Sequence, residues 1–144
     1  MKVHILLLDD DKDELGFFLD ALKDVPCEDG FKCTFAGSAS QAKEMLKYLI
    51  PDFIFVDHKM PETTGLQFLL GMKNQLGLEK PRVYLYSVFV DEKIEKAALS
   101  LGVTGVIKKM NTIKALSDEL TTVLTSPMTP AYLFSGGRMT EGQY

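Results

Sequence analysis

The sequence is poor in cysteine, has no long apolar run and carries no excess of positive charge. Each shortage removes a class of function. Two cysteines, Cys27 and Cys33, among 144 residues cannot form a disulfide framework, and no CxxC spacing marks a zinc site. They read as two reduced thiols of a cytoplasmic protein. No apolar run approaches the roughly 18 to 20 residues that cross a bilayer. The opening MKVHILLLDDD holds a short apolar stretch, but acids follow at once without a small-residue cleavage site, which argues against a signal peptide. A net charge of −4 gives no general attraction to nucleic acid or to a membrane of anionic lipid. KKMNTIK near residue 110 is the only local basic cluster. No glycine-rich cofactor loop and no nucleophile–base pair appears, so an enzyme acting on a small substrate is the least expected outcome.

What the chain does have is alternation. Short apolar runs at 3–8, 31–36, 52–56, 82–87 and 105–109 read as five strands. The third and fourth are apolar or aromatic at almost every position, as in strands covered on both faces. Between them the apolar period lengthens to three and four residues. Leu15, Phe18, Leu19, Leu22 and Val25 form one such stripe, and Ala42, Met45, Leu46 and Leu49 another. Ile94, Ala97, Ala98 and Leu101 form a third, and Ile113, Leu116, Leu120 and Val123 a fourth, each the buried face of a helix. Asp91 is placed to cap the helix that ends near Gly102, Thr63 or Thr64 to cap the third helix, and Asn111 or Thr112 the fifth. Strands joined by helices run parallel with right-handed crossovers. The class is a doubly wound α/β protein, a five-stranded parallel sheet with helices on both faces, over residues 1–125. From 126 to 144 the periodicity stops, and the segment reads as a tail that is either flexible or docked.

In a parallel sheet every strand's carboxyl end lies on one edge, and ligands bind there at the switch point. The first strand ends at Asp9 and Asp10, the third at Asp57, the fourth at Ser87 and the fifth at Lys109. If the first and third strands are neighbours, about 4.8 Å apart, Asp9, Asp10 and Asp57 share one small volume. Crowded carboxylates repel unless a cation sits among them, and Mg²⁺ takes one or two carboxylates, waters and phosphate oxygens. Two rival acidic motifs fail. An EF-hand needs glycine where Glu14 stands, and a DxDx(T/V) phosphatase motif needs Thr or Val where Lys12 stands. Asp11 and Asp13 read as acids favoured at a helix N-terminus.

These elements together resemble the receiver domain of two-component response regulators, the CheY-like family. ILLLDDD, PDFIFVDHKMPETTGLQFL, VYLYS and LGVTGVIKK carry the likeness, with Pro61 four and Gly65 eight residues after Asp57. The resemblance implies the flavodoxin-like strand order 2-1-3-4-5. It implies a stand-alone switch in which Asp57 takes a phosphoryl group from a sensor histidine kinase or a histidine phosphotransfer protein. Asp9, Asp10, Asp57 and the main-chain carbonyl of Lys59 would hold Mg²⁺, while Ser87 and Lys109 would contact the phosphoryl oxygens. Lys108 competes for the lysine role, but strand alternation sends it to the other face. An effector protein or a phosphorylation-dependent homodimer would receive the signal. The alternatives are a phosphorelay intermediate or phosphate sink, and an interaction module that does not use phosphorylation.

The chain departs from the family pattern at three places. Met110 follows the lysine where the family usually has proline, often with a cis bond before it. Val106 stands where an aromatic ring usually reports phosphorylation; Tyr84 and Tyr86 are the nearest substitutes, or else core residues. Val88 is bulkier than the usual small residue and is expected to narrow access to the phosphoryl group. His58 is expected to be an exposed loop residue and His4 a structural one.

Overall fold

The computed structural model describes residues 2–75 and 81–125; the expectation for 126–144 lies outside the described residues. Ten elements alternate: β1 (Val3–Leu8), α1 (Lys12–Leu22), β2 (Phe31–Ala36), α2 (Ala39–Met45), β3 (Phe53–Val56), α3 (Gly65–Gln75), β4 (Arg82–Ser87), α4 (Glu92–Ser100), β5 (Gly105–Lys108) and α5 (Ile113–Leu124). All strands pair in parallel in the order β2-β1-β3-β4-β5, as the resemblance implied. Because side chains alternate across a strand, the sheet feeds two separate cores. Ile5, Leu7, Phe53, Phe55, Tyr84, Tyr86 and Ile107 pack under α1 and α5. Leu6, Leu8, Ile54, Val56, Val83 and Leu85 pack under α2, α3 and α4. An aromatic cluster fills the first core, with Phe18 edge-on to Phe55 at 5.2 Å and to Tyr86 at 5.8 Å. Each such buried ring contributes about 1.5–3 kcal/mol of transfer free energy, which offsets the cost of keeping Asp9 and Asp57 out of water.

The helix starts follow side-chain chemistry. Asp11 caps α1 by accepting from the Asp13 amide, Asp91 caps α4 through Ile94, and of the two candidates Thr112 caps α5 through Ala115. At α3 the Thr64 hydroxyl accepts from the Gln67 amide while Gln67 accepts from the Thr64 amide, a reciprocal capping box. Gly102 takes φ +96°, the left-handed conformation that ends α4. Some expected positions move. Strands three and five are each one residue shorter, so Lys109 sits just beyond β5. Leu19 is 40% exposed and Ile113 38%, because α1 turns Phe18, Ala21 and Leu22 inward and Ile113 opens the first turn of α5. Both cysteines are free and half-buried. Burial pushes the Cys33 thiol up to about 12, which makes it unreactive. Among the described residues no helix is long and apolar enough to cross a membrane.

Candidate functional site

Strand register brings the polar strand ends together. Leu8 pairs with Val56 and Val56 with Leu85, so the residues that follow β1 and β3 leave the sheet side by side. The Asp57 amide donates to the Leu8 carbonyl at 2.9 Å, and the Asp9 amide to the Ala36 carbonyl at 3.0 Å. These bonds extend the ladder one step beyond the regular strands and fix both carboxylates. The Lys109 amide donates to the Ser87 carbonyl at 2.8 Å, which does the same for the lysine. Asp9, Asp10, Asp57, Lys59, Ser87 and Lys109 all line one shallow cleft of about 520 Å³, together with Asp11 and Val88. Every site residue expected from the sequence is therefore in one place. A wider groove of about 810 Å³ beside α2 and α3 is lined by Lys43, Glu44, Lys47 and Glu62, all exposed, and holds no buried titratable group.

The electrostatics are dominated by buried negative charge. Asp9 is fully buried and Asp57 nearly so, while Asp10 is exposed. Burial, then the charge of Asp9, pushes the Asp57 carboxyl up to about 7 against the opposing pull of Lys109. The Lys109 ammonium lies 2.6 Å from Asp9 Oδ2, 3.5 Å from Asp57 Oδ1 and 4.0 Å from Glu14 Oε1. Burial disfavours its charge, but the bond and charge of Asp9, then Asp57 and Glu14, outweigh that and leave its pKa raised. Lys108 is exposed, on the opposite parity from Ile107 and Lys109.

One carboxylate oxygen from each of Asp9, Asp10 and Asp57 lies within 4.8 Å of the others. In octahedral Mg²⁺ coordination, with bonds of about 2.1 Å, ligand oxygens lie about 3 to 4 Å apart. The all-oxygen donor set, three carboxylates facing a single ammonium, thus fits a hard divalent cation.

The loop after Asp57 is held back against the site. The Gly65 amide donates to the His58 carbonyl at 2.8 Å. A Cβ on Gly65 would lie 2.5 Å from the Asp57 carbonyl oxygen and 2.9 Å from His58 Cα, so only glycine fits there. This turn also corrects the expectation for His58. It is half-buried, and its Nδ1 is buried without a hydrogen-bond partner among the described residues. Burial, then Lys59, holds the imidazole below its usual pKa. His4 is structural as expected, its Nε2 bonded to Thr34 Oγ1 at 2.8 Å. Tyr84 and Tyr86 are core residues, 1% and 0% exposed. The Lys109–Met110 bond is trans, as are all described peptide bonds.

Sequence reasoning passed over one participant. Glu14 accepts the hydroxyl of buried Tyr86 and faces Lys109. The signal was present: Glu14 precedes Phe18 by one helical turn, so it shares the inward face of α1, where a carboxylate requires a partner.

A doubly wound sheet with a carboxylate cluster, a lysine and a serine at its carboxyl edge defines a class of small switch proteins built around an acidic pocket. The sequence model of the response regulator receiver domain matches residues 5–121, and the chain belongs to that family. It is thus a receiver domain of two-component signalling, a family of phosphoacceptors that bind Mg²⁺ in an acidic pocket. Among solved structures it is similar to the phosphorylated cyanobacterial phytochrome response regulator RcpA, with TM-score 0.75 and 18% identity over 97% of this chain and 98% of that one. It is also similar to the Vibrio cholerae chemotaxis protein CheY4, with TM-score 0.73 and 20% identity over 85% of this chain and 99% of that one. The Mn²⁺-bound response regulator Rcp1 follows at TM-score 0.72 and 20% identity, over 88% and 98%. At these identities the structural likeness carries the fold.

Proposed function

We propose that Asp57 is the phosphoacceptor of a switch driven by a histidine kinase or a histidine phosphotransfer protein. The reading is carried by one observation: Asp57 sits within 3.5 Å of the Lys109 ammonium and shares a carboxylate cluster with Asp9 and Asp10. An Asp57 carboxylate oxygen attacks the phosphorus of a phosphohistidine. The P–N bond breaks, the electron pair leaves with the imidazole nitrogen, and an acyl phosphate forms on Asp57. Such transfers depend on positioning and charge neutralisation. Lys109 pairs with one phosphoryl oxygen and the Ser87 hydroxyl donates to another. Asp9, Asp10, Asp57 and the Lys59 carbonyl would hold Mg²⁺, which when bound supplies charge neutralisation to the transferring group. The bulk of Val88, 67% exposed at the cleft, slows water's approach to the acyl phosphate.

The output is a protein–protein contact whose surface shifts when charge is added at the site. A second reading, a phosphorelay intermediate or phosphate sink, is favoured by Val106, which offers no ring to swing. Incubation with Mg²⁺ and a small phosphodonor should add the mass of one phosphoryl group to the natural protein and none to Asp57→Asn. Equal labelling of both removes Asp57 from the role. Return of the group to a histidine phosphotransfer partner favours the second reading.

A further inference from the structure

We propose that Glu14, acting with Tyr86, is a positioning residue for Lys109: Glu14 and Asp57 compete for one ammonium group, and the Tyr86 hydroxyl limits how strongly Glu14 competes. The proposal rests on Asp57 as the phosphoacceptor.

Tyr86 lies at the end of β4 and is 0% exposed. Its hydroxyl has no access to water and needs a partner, which Glu14 Oε2 supplies. That bond occupies one side of the carboxylate. The other oxygen, Oε1, faces Lys109 Nζ at 4.0 Å, too far for a hydrogen bond but close enough to attract. The same Nζ lies 5.3 Å from the centroid of the Tyr86 ring, within the range of a cation–π contact. Asp9, at 2.6 Å, tethers the ammonium. From that tether it is drawn toward Asp57, 3.5 Å away, or toward the Glu14–Tyr86 pair on α1 and β4.

Two substitutions follow with opposite signs. Glu14→Gln keeps an acceptor for the Tyr86 hydroxyl but removes the competing charge, so Lys109 moves to Asp57, where a phosphoryl oxygen would arrive. Tyr86→Phe keeps the ring but releases the Glu14 carboxylate, which then closes on Lys109 and draws it away. One full charge at about 4 Å, even screened as in bulk water, changes the phosphorylation rate by about fivefold or more. With Mg²⁺ and a small phosphodonor, Glu14→Gln should raise the rate by that factor and Tyr86→Phe lower it. In the Glu14→Gln background Tyr86→Phe should have no further effect, a coupling that a double-mutant cycle reads directly. A pair that only supports the fold would give changes of one sign.

A second readout needs no phosphoryl transfer. The Lys109 ε-methylene protons should resonate upfield of those of the other lysines because of the Tyr86 ring, and Glu14→Gln should move them toward the common lysine position. An unchanged Lys109 signal in Glu14→Gln, or rate changes of one sign, overturns the proposal. Failure of the natural protein to accept a phosphoryl group, with the Lys109 shift as expected, overturns the phosphoacceptor reading instead.

Discussion

Asp57→Asn is expected to stabilise the metal-free protein at neutral and alkaline pH. The folded carboxyl titrates at about 7 instead of 3.8, chiefly through burial and then the charge of Asp9. It therefore holds its proton where the unfolded chain has lost it. Between about pH 4 and 7 the folded state binds more protons, so stability falls as pH rises through that window and stays low above it. At 1.36 kcal/mol per pH unit the penalty for ionised Asp57 is about 4 kcal/mol. That shift already contains the opposing pull of Lys109 at 3.5 Å; asparagine removes the charge but leaves a buried amide whose hydrogen bonds must be met, so the net gain is smaller, about 1–3 kcal/mol. Urea unfolding with a chelator at pH 4 and pH 8 measures it. The variant should gain on the natural protein as pH rises. A variant no more stable at pH 8, or a difference that does not change between the two pH values, would refute the reasoning.

Mg²⁺ should offset much of that penalty. At about 100 times its dissociation constant a cation bound only by the folded state adds about 2.7 kcal/mol, read as a raised melting temperature that Asp9→Asn and Asp10→Asn each diminish. The gain should weaken as pH falls below about 7, because Asp57 then takes up the proton. Gly65→Ala should cost about 2–3 kcal/mol in urea unfolding, since the new Cβ meets backbone at Asp57 and His58. A cost under half a kcal/mol would mean that the turn yields freely. Val88→Ala should shorten the acyl-phosphate lifetime by opening the cleft, and equal lifetimes would discard a shielding role for that side chain.

The fold and the site were legible for a common reason. Parallel strands put all carboxyl ends on one edge, so polar residues at Asp9, Asp57, Ser87 and Lys109 had to gather once the topology was known. Fine placement was less legible. The sequence could not show that residues 58–65 fold back through the Gly65 amide, which is why His58 is half-buried instead of exposed. The rotation of α1 was legible only in part: the apolar stripe marked Phe18 and Leu22 as inward, but also Leu19, which is 40% exposed. That rotation is set by Phe18, Ala21 and Leu22 packing into the core, not by the acidic residues before them, and Glu14 is carried inward by it.

The rotation of α1 also bears on the missing ring at position 106. Val106 packs toward the core under α2, α3 and α4. Tyr86 pairs with Ile107 across β4 and β5 and faces the core under α1 and α5. The ring that Lys109 faces, that of Tyr86, is thus on the opposite side of the sheet from Val106. It is also too closely packed to swing, with Phe18 at 5.8 Å and Phe55 at 6.1 Å. On that face the groups beside the lysine are Glu14 on α1 and Tyr86 on β4, joined by a part-buried hydrogen bond. α1 in turn packs against α5. The contacts of Lys109 thus lead to α1 and, through it, to α5, on the face of the sheet opposite Val106.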